Sequence, residues 1–460
     1  MSIFDFLLFP FYVILFNLFF TKRRKRYDDP LLQKYHKQGF WIKVLGSVAF
    51  TIFNVYLSRG DSFGLYHTEG ANIYHLILHD SSNIKWLFMK GEKFDESLLM
   101  DVWNAGYFKA ENNYMVTRMV AVISFFTFGK YMVTNLVFSM IAFTGIWKLF
   151  LFFYEQYPHL HKKFAIAILY LPTFVFWSSG ILKDTICIAA LGWISFAIYE
   201  VFYRKKNIMK NSIILFIFGY LLVVLKIYIL VSYVPFFILF IIMKNVQTIS
   251  SKFIKFVLTP LLIILSLVGF SKVFSSFGDE LGQFAVKDLT KSIQTYNKAW
   301  DQQAGQGIGS SNFSLGVEYD GSITGLIKLM PAAITATLFR PFLWETHKAS
   351  TVLSSLESLF MLLFTFYIIW KAKPGPFLHI IAKDPLIMYC FLFSVIFALF
   401  VGATTRNFGT LVRYKIPCMP FYLIALYLIY EKVKEKVAVI KTTEVVPAIN
   451  INKVALAPAV

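Results

Sequence analysis

Charged residues are scarce in this chain of 460 residues. Only 15% of them are Asp, Glu, Lys or Arg, whereas 57% are hydrophobic. A soluble protein of average composition has roughly 25% charged and 45–50% apolar residues. Apolar runs recur along the whole length, many of them near the roughly 20 residues that a helix needs to cross a bilayer. The composition excludes an ordinary soluble domain and indicates an integral membrane protein.

The sequence also lacks alternating apolar and polar runs and lacks cysteines with metal-ligand spacing, which limits the possible fold and chemistry. The apolar runs do not alternate with polar residues, which excludes a membrane β-barrel, because only helices and closed barrels satisfy their backbone within lipid. The three cysteines, Cys187, Cys390 and Cys418, lie in or beside apolar segments and lack metal-ligand spacing. The sequence therefore indicates no disulfide framework and no metal site, and the cysteines are expected to be packing residues.

The net charge of +19 does not favour a nucleic-acid partner, because the basic residues are divided into short clusters between apolar runs. Lys and Arg accumulate in cytoplasmic loops of membrane proteins. The first run, near residues 3–20, precedes its basic cluster and has no small-residue cleavage site, so we expect it to be retained as a helix. Five later clusters are assigned to the cytoplasm: residues 161–163, 204–206, 244–255, 371–373 and 431–436.

This assignment predicts an all-α integral membrane protein, a polytopic bundle of about eleven transmembrane helices with the N-terminus outside and the C-terminus in the cytoplasm. The bundle is expected over residues 1–436, with two large outer loops at about 58–118 and 274–348. Residues 437–460 have no periodicity and are predicted to form a disordered tail. The segments 117–128 and 324–343 are left open as spanning, interfacial or re-entrant.

The first outer loop begins with Asp61, directly after an apolar run and Gly60. A carboxylate at the boundary of lipid and water can act as a general base, but an aspartate in this position can also cap a helix or a turn. His67 follows closely and is either a second catalytic residue or a structural one. Arg118, at the end of the loop, either faces the same pocket or anchors the interface.

Further cations are expected on the outer face, where the orientation rule disfavours them. Lys183 and Asp184 follow the Ser178–Gly180 turn, and Lys226 marks the turn between two other runs. Arginines bind phosphate oxygens through two parallel N–H groups, so a phosphate-binding site is predicted here, although interface anchors and a local ion pair are the alternatives. The candidate binding residues are Arg118, Lys183, Asp184, Arg340, Arg406, Arg413 and Tyr414.

Three of these stretches resemble multispan envelope glycosyltransferases of the GT-C class, which use polyprenyl-phosphate-linked sugars. They are Asp61 at the head of its loop, residues 176–184 (FWSSGILKD) and residues 413–417 (RYKIP); the last two also look like segments of O-antigen polymerase-like proteins. An additional apolar run precedes the loop, and Asp61-Ser62 stands where the class commonly has Asp-Glu.

The resemblance implies a sugar transferase at the outer face of the bacterial inner membrane that serves envelope glycan assembly. Its partners would be membrane lipid, a lipid-linked sugar donor and a glycan or lipid acceptor, with no other cofactor expected. The alternative is a polymerase or ligase of lipid-linked oligosaccharide, for which no acid at the head of the loop is needed. A lipid or solute transporter is the third hypothesis, which the scarcity of charge within the apolar runs disfavours.

Overall fold

The computed structural model describes residues 3–58, 60–102, 105–246, 260–261, 264, 312–317, 323–346 and 349–445. Over these ranges the chain is α-helical and contains no β-strand, only an isolated antiparallel bridge between Asn312 and Asn407. The prediction of an all-α protein is therefore confirmed. Arg59 and most of the predicted span at 255–273 lie outside the described residues, as does most of the loop predicted at 274–348.

Sixteen α-helices in these ranges are numbered in chain order. They are α1 (Ile3–Arg24), α2 (Pro30–Ile52), α3 (Thr68–His79), α4 (Ala105–Lys109), α5 (Glu111–Thr127), α6 (Tyr131–Gln156), α7 (His161–Ala165), α8 (Pro172–Trp177), α9 (Lys183–Ile198), α10 (Ile208–Val246), α11 (Ile323–Phe339), α12 (Ala349–Ala372), α13 (Pro374–Lys383), α14 (Pro385–Thr404), α15 (Phe408–Tyr414) and α16 (Met419–Val445).

Seven helices of the described residues are long and apolar enough to cross a membrane. They are Ile3–Arg24, Pro30–Leu57, Tyr131–Gln156, Lys183–Arg204, Ile208–Val246, Thr351–Ala372 and Pro385–Thr404. An eighth results if α15 and the following helix, which meet at 63°, form one broken span. Several apolar helices thus support a multi-pass membrane protein, but about eleven crossings are not confirmed.

The 39-residue helix α10 folds back on itself at Lys226, whose backbone leaves the helical region (φ −155°, ψ 74°). Near its start, Asn211 donates to the carbonyl of Lys206 over 3.1 Å. Near its end, Lys244 lies 3.4 Å from the hydroxyl of Tyr199. Both ends of α10 therefore contact the segment 199–206, and Lys226 lies at the opposite end of two limbs, residues 208–225 and 227–246.

Several basic clusters lie together on one face of the bundle. Lys163 pairs with Glu431 at 2.6 Å, joining α7 to α16. Arg204 pairs with Glu155 at 3.3 Å, joining the end of the α9 span to α6. We call this side the basic face and the opposite side, where Lys226 lies, the site face.

The segment between α6 and α9 is a broken helix. A π-helical turn (Ile166–Tyr170) follows α7, and Pro172 then starts the six-residue helix α8. Glu357 of α12 accepts a hydrogen bond from the backbone N–H of Thr173 at 2.7 Å. At the other end, Lys43 of α2 donates to the carbonyl and the hydroxyl of Ser178, the latter at 2.9 Å. A carboxylate thus meets the positive end of α8 and an ammonium the negative end, as the helix dipole favours.

The loop that follows the α2 span is folded rather than irregular. Ser62–His67 form a π-helical turn, followed by α3, three short 3₁₀ helices and α4. The buried carboxylate of Glu69 accepts hydrogen bonds from the backbone N–H groups of Met100 and Asp101, both at 3.1 Å. We refer to residues 62–109 as the folded loop. The segment predicted at 117–128 belongs to α5, which begins at Glu111, and the one at 324–343 forms α11.

Helix α16 continues to Val445, past residue 437, where the disordered tail is predicted to begin. The charged residues around Glu431–Lys436 indicate the end of a membrane span. Lysine and glutamate are also strong helix formers, so the helix continues beyond the span. Residues 446–460 lie outside the described residues.

Glycines allow α6 and α9 to cross at close range. A Cβ added to Gly192 would lie 2.0 Å from the carbonyl oxygen of Gly145, and one added to Gly145 would lie 2.1 Å from that of Ala189. These are backbone atoms, which cannot rotate away. Small residues at such crossings let helices in membranes gain packing contacts that lipid does not otherwise provide.

We therefore expect Gly192→Ala to destabilise the protein by about 1–3 kcal/mol, because overpacking outweighs the better helix propensity of alanine. Gly219→Ala in α10 is the control, since a Cβ at that position meets no atom within 4 Å. Thermal unfolding in detergent measures both. Equal midpoints for the two variants would contradict the close crossing.

Candidate functional site

Asp61 lies where the α2 span meets the folded loop. It occupies the N-cap position of the turn Ser62–His67, but its side chain makes no capping hydrogen bond. The Oδ2 atom instead lies 3.6 Å from Nη1 of Arg413 and 3.5 Å from the hydroxyl of Tyr107. The side chain is 37% exposed. The geometry does not support the interpretation of Asp61 as a helix cap.

Lys183 and Asp184 begin α9 and are positioned by a rigid turn. The backbone N–H of Ile181 donates to Asn135 of α6 at 2.9 Å. Thr185 donates to the carbonyl of Gly180 at 2.6 Å. Since Lys43 also holds Ser178, the turn is tied to both α2 and α6. Asp184 is completely buried, so its carboxylate needs cationic partners.

Lys226 supplies one of these partners. Its ammonium lies 2.5 Å from Oδ1 of Asp184 and is 7% exposed. It also lies 4.3 Å from the centroid of the Tyr414 ring, a favourable cation–π distance. The fold-back of α10 places this lysine between α9 and α15. The sequence predicts a turn at Lys226 but not its ion pair with Asp184; the available signal is that Lys226 is the single charged residue between Lys210 and Lys244.

Arg413 joins the two carboxylates. Its Nη2 atom lies 3.6 Å from Oδ2 of Asp184, and its Nη1 atom lies at the same distance from Asp61. Both separations exceed a normal hydrogen bond. The Nε atom of Arg413 and Oδ2 of Asp184 have no hydrogen-bond partner in the described part of the chain. The guanidinium is thus held mainly by charge, at distances longer than hydrogen bonds, and its buried Nε–H has no partner within the described residues.

Two tyrosines complete the rim of this cluster. The Tyr107 ring centroid lies 6.0 Å from the ammonium of Lys183. Burial raises the pKa of Tyr107 to about 12, so its hydroxyl stays protonated and can donate. Tyr66 donates to Asn113 at 2.9 Å, and Asn113 donates to the carbonyl of Tyr107 at 2.6 Å. Sequence reasoning missed this arrangement, because outer aromatic residues are equally typical of an interface belt.

We call Asp61, Lys183, Asp184, Lys226 and Arg413 the charged cluster. Three of its side chains are cationic and two are carboxylates, which leaves one excess positive charge at the site face. Such a set can bind an anion and hold a carboxylate beside it. In the described residues, no group of three or more His, Cys, Asp and Glu has a geometry that could hold a metal ion.

The other predicted residues lie elsewhere or contribute less directly. Tyr414 borders the cluster through Lys226. His67 contacts the carbonyl of Gly129 through Nε2 at 3.1 Å and lies 4.9 Å from the ring of Tyr131, centroid to centroid. Arg118 donates to the carbonyl of Met89 at 2.8 Å and pairs with Glu111 at 3.2 Å.

Arg340 is not brought to Arg413. Its Nε donates to both carboxylate oxygens of Glu345, at 3.0 and 3.1 Å, and its guanidinium lies 5.2 Å from the Phe408 ring. Phe408 and Arg413 are five residues apart on α15 and so point about 140° apart. The backbone of Arg406 accepts a hydrogen bond from Phe313, beside Arg340. Arg340 is therefore paired with Glu345 in the structure, and a joint phosphate site of Arg340, Arg406 and Arg413 stays a prediction.

The structure also contains buried charged residues that the apolar pattern of the sequence does not predict. Lys43 is 2% exposed in the middle of the α2 span, and Glu357 is 8% exposed in α12. Lys415 is fully buried and donates to Ser358 at 2.7 Å and to the carbonyl of Arg340 at 2.9 Å. Their contacts bind helix ends and turns, so they stabilise the segments that carry the charged cluster.

A double-mutant cycle tests the pairing of Asp184 with Lys226. Asp184→Asn and Lys226→Met should each destabilise the protein by about 3–5 kcal/mol, because each leaves a buried charge without its partner. The double variant should lose less than the sum. Asp61→Asn should cost at most about 1 kcal/mol, because the Asp61 side chain is itself 37% exposed to water. Unfolding in detergent gives these values, and strict additivity of the first two would contradict the buried pair.

His67 predicts a specific pH dependence of stability. Its withdrawal from water lowers its pKa to about 4, whereas the unfolded chain has a value near 6.5. Between these values only the unfolded chain binds the proton, so the His67 contribution to stability is lost as the pH falls from about 6.5 to 4. His67→Gln should therefore reduce the acid-induced fall of the unfolding midpoint.

The exposed His79, on the same loop, supplies the matched control His79→Gln. Its midpoint should follow that of the unmodified protein through the same pH range. An unchanged pH dependence in His67→Gln would show that the imidazole is accessible to water.

The described structure thus places five predicted or newly found charged side chains at one mouth of a helical bundle. This chain matches no protein-family model, no curated protein and no solved structure. Its function must accordingly be argued from the charged cluster and its surroundings.

Proposed function

We propose that this protein is an integral membrane glycosyltransferase that moves a sugar from a polyprenyl-phosphate carrier to an acceptor at the outer face of the bacterial inner membrane. The observation that carries the proposal is the charged cluster, in which Arg413 bridges a buried carboxylate and an exposed one at the mouth of an apolar bundle.

The cations suit the phosphate of a lipid-linked sugar. Asp184 is buried and holds Lys226 and Arg413 in place, so these side chains lose little conformational freedom on binding. The Nη1 and Nη2 atoms of Arg413 lie 3.6 Å from the two carboxylates, beyond hydrogen-bond distance, and a guanidinium can donate two N–H groups to a phosphate in parallel. Lys183 lies at the first residue of α9, where backbone N–H groups and the helix dipole also favour an anion.

Asp61 suits the role of general base because it is the exposed carboxylate of the cluster. In the proposed step, an acceptor hydroxyl attacks the anomeric carbon while the bond from that carbon to the phosphate oxygen breaks. The electron pair of that bond stays on the polyprenyl phosphate, and the hydroxyl proton passes to Asp61.

The charge balance of this step fits the cluster. The donor phosphodiester is a monoanion, which matches the one excess positive charge of the site. When the sugar leaves, the phosphate gains a second negative charge, and Asp61 loses its own by taking the proton. The three cations therefore face the same total charge before and after the transfer, and they stabilise the leaving group as its charge develops.

Asp61→Asn is the decisive variant. General-base catalysis typically contributes about 10²–10⁴-fold, so turnover of a radiolabelled lipid-linked sugar should fall by that order, while donor binding changes little. Arg413→Lys should instead weaken donor binding, since an ammonium cannot present two N–H groups in a plane. Transfer is followed by thin-layer separation of the lipid-linked sugar.

Asp95→Asn is the matched control, because Asp95 is an exposed aspartate of the folded loop that caps a short helix through Ser97 at 3.0 Å. It should leave turnover unchanged. Full activity of folded Asp61→Asn would reject Asp61 as the base and favour the polymerase or ligase alternative, in which Asp61 serves only as a counter-ion of Arg413.

A further inference from the structure

An apolar groove runs along the bundle between α9 and the two limbs of α10. It has a volume of about 430 Å³, within the size range of small-molecule pockets. Both limbs contribute to it, Leu215 and Gly219 from the first and Leu230 and Val234 from the second. The fold-back at Lys226 creates this groove, because a straight α10 would hold these residues far apart.

Both walls of the groove lead up to lysines of the charged cluster. On the second limb, Leu230, Val234 and Ile238 line the groove at intervals of four residues. Lys226 precedes Leu230 by the same interval and lies about one turn higher, at the break where the backbone of α10 leaves the helical region.

The wall from α9 has the same arrangement. Ile194 and Ile198 line the groove, and Lys183 lies on their face, eleven residues or about three turns before Ile194. The groove is therefore lined by apolar side chains, and its upper end at Leu230 lies about one turn below Lys226 of the charged cluster. From Leu230 to Ile242 it extends for about 18 Å, more than half of a hydrocarbon core roughly 30 Å thick.

We propose that this groove binds the isoprenoid chain of the lipid phosphate whose head group is held by the charged cluster. The inference rests on the proposed function for the identity of the head group. It is supported by charge complementarity, because a phosphate at Lys183 and Lys226 directs an attached chain into the groove below them. An acyl chain of an ordinary bilayer lipid is the competing occupant.

The groove binds the isoprenoid chain through its shape, because moving an apolar chain from lipid into an apolar groove gives no hydrophobic gain. Lipid tails are as apolar as the wall, so moving a chain from the bilayer into the groove gains packing contacts and little else. Blocking the groove should consequently weaken binding of a long chain moderately, without affecting the chemistry at the charged cluster.

Gly219 offers a way to fill the groove without disturbing the helix. A Cβ at this position meets no atom within 4 Å, and any side chain other than proline has a better helix propensity than glycine. Gly219→Phe should raise KM for a long-chain polyprenyl-phosphate sugar roughly tenfold. It should leave kcat unchanged, and KM for the same sugar on citronellyl phosphate should also stay the same.

Gly375→Phe is the matched control, since Gly375 in α13 also has open space around its Cα but lies outside the groove. It should change neither KM. Equal KM values for Gly219→Phe and the unmodified protein with the long-chain donor would overturn the proposal, as would an equal rise with both donors.

A binding experiment separates this proposal from the proposed function. A long-chain polyprenyl phosphate carrying a diazirine, and no sugar, is photo-crosslinked to the full-length protein in nanodiscs. Labelled peptides from α9 and α10 that are lost in Gly219→Phe would support the groove even if no sugar transfer were found. Active protein labelled elsewhere would overturn the groove and leave the transferase standing.

The same experiment identifies the occupant. Unlabelled polyprenyl phosphate should compete for the label, whereas phosphatidylcholine should not. A diazirine-bearing phosphatidylcholine that labels α9 and α10 and is not displaced by polyprenyl phosphate would assign the groove to bilayer lipid and overturn the proposal.

Discussion

The site depends on one carboxylate that has no access to water. Asp184 is fully buried at the end of a bundle of apolar helices, where an unpaired negative charge would be very costly. It is tolerated because Lys226 and Arg413 converge on it from two other helices. The need to neutralise this group therefore fixes the relative positions of α9, α10 and α15. The exposed Asp61 pairs with Arg413, whose position is already determined by Asp184.

A second set of buried charges stabilises the segment that leads into α9. Lys43 and Glu357 have no role as a pair; each meets one end of the short helix α8. Charged groups within a membrane protein usually indicate a substrate or proton pathway. Here their contacts explain them in structural terms, because a helix of six residues in an apolar environment must have its terminal N–H and C=O groups satisfied. The turn that delivers Asp184 starts from this clamped helix.

Much of the helical pattern was predictable because lipid permits so few backbone structures. The positions of Asp61, Lys183, Asp184 and Arg413 at the mouth were accessible for the same reason: charge is excluded from long apolar runs and collects at their ends. The pairings were not accessible, since they depend on which helix ends meet. Arg118 and Arg340 had acids within seven residues along the chain, Glu111 and Glu345, and such local partners were the available signal that these arginines were already neutralised.

The two ends of α8 are satisfied by residues on opposite sides of it in the chain, and this has a consequence for biosynthesis. Lys43 is synthesised before α8, but Glu357 follows α8 only after about 180 further residues, and Arg413 comes later still. During insertion into the membrane the nascent chain must hold α8 with one end open. The charged cluster can form only after α15, which carries Arg413, has been synthesised.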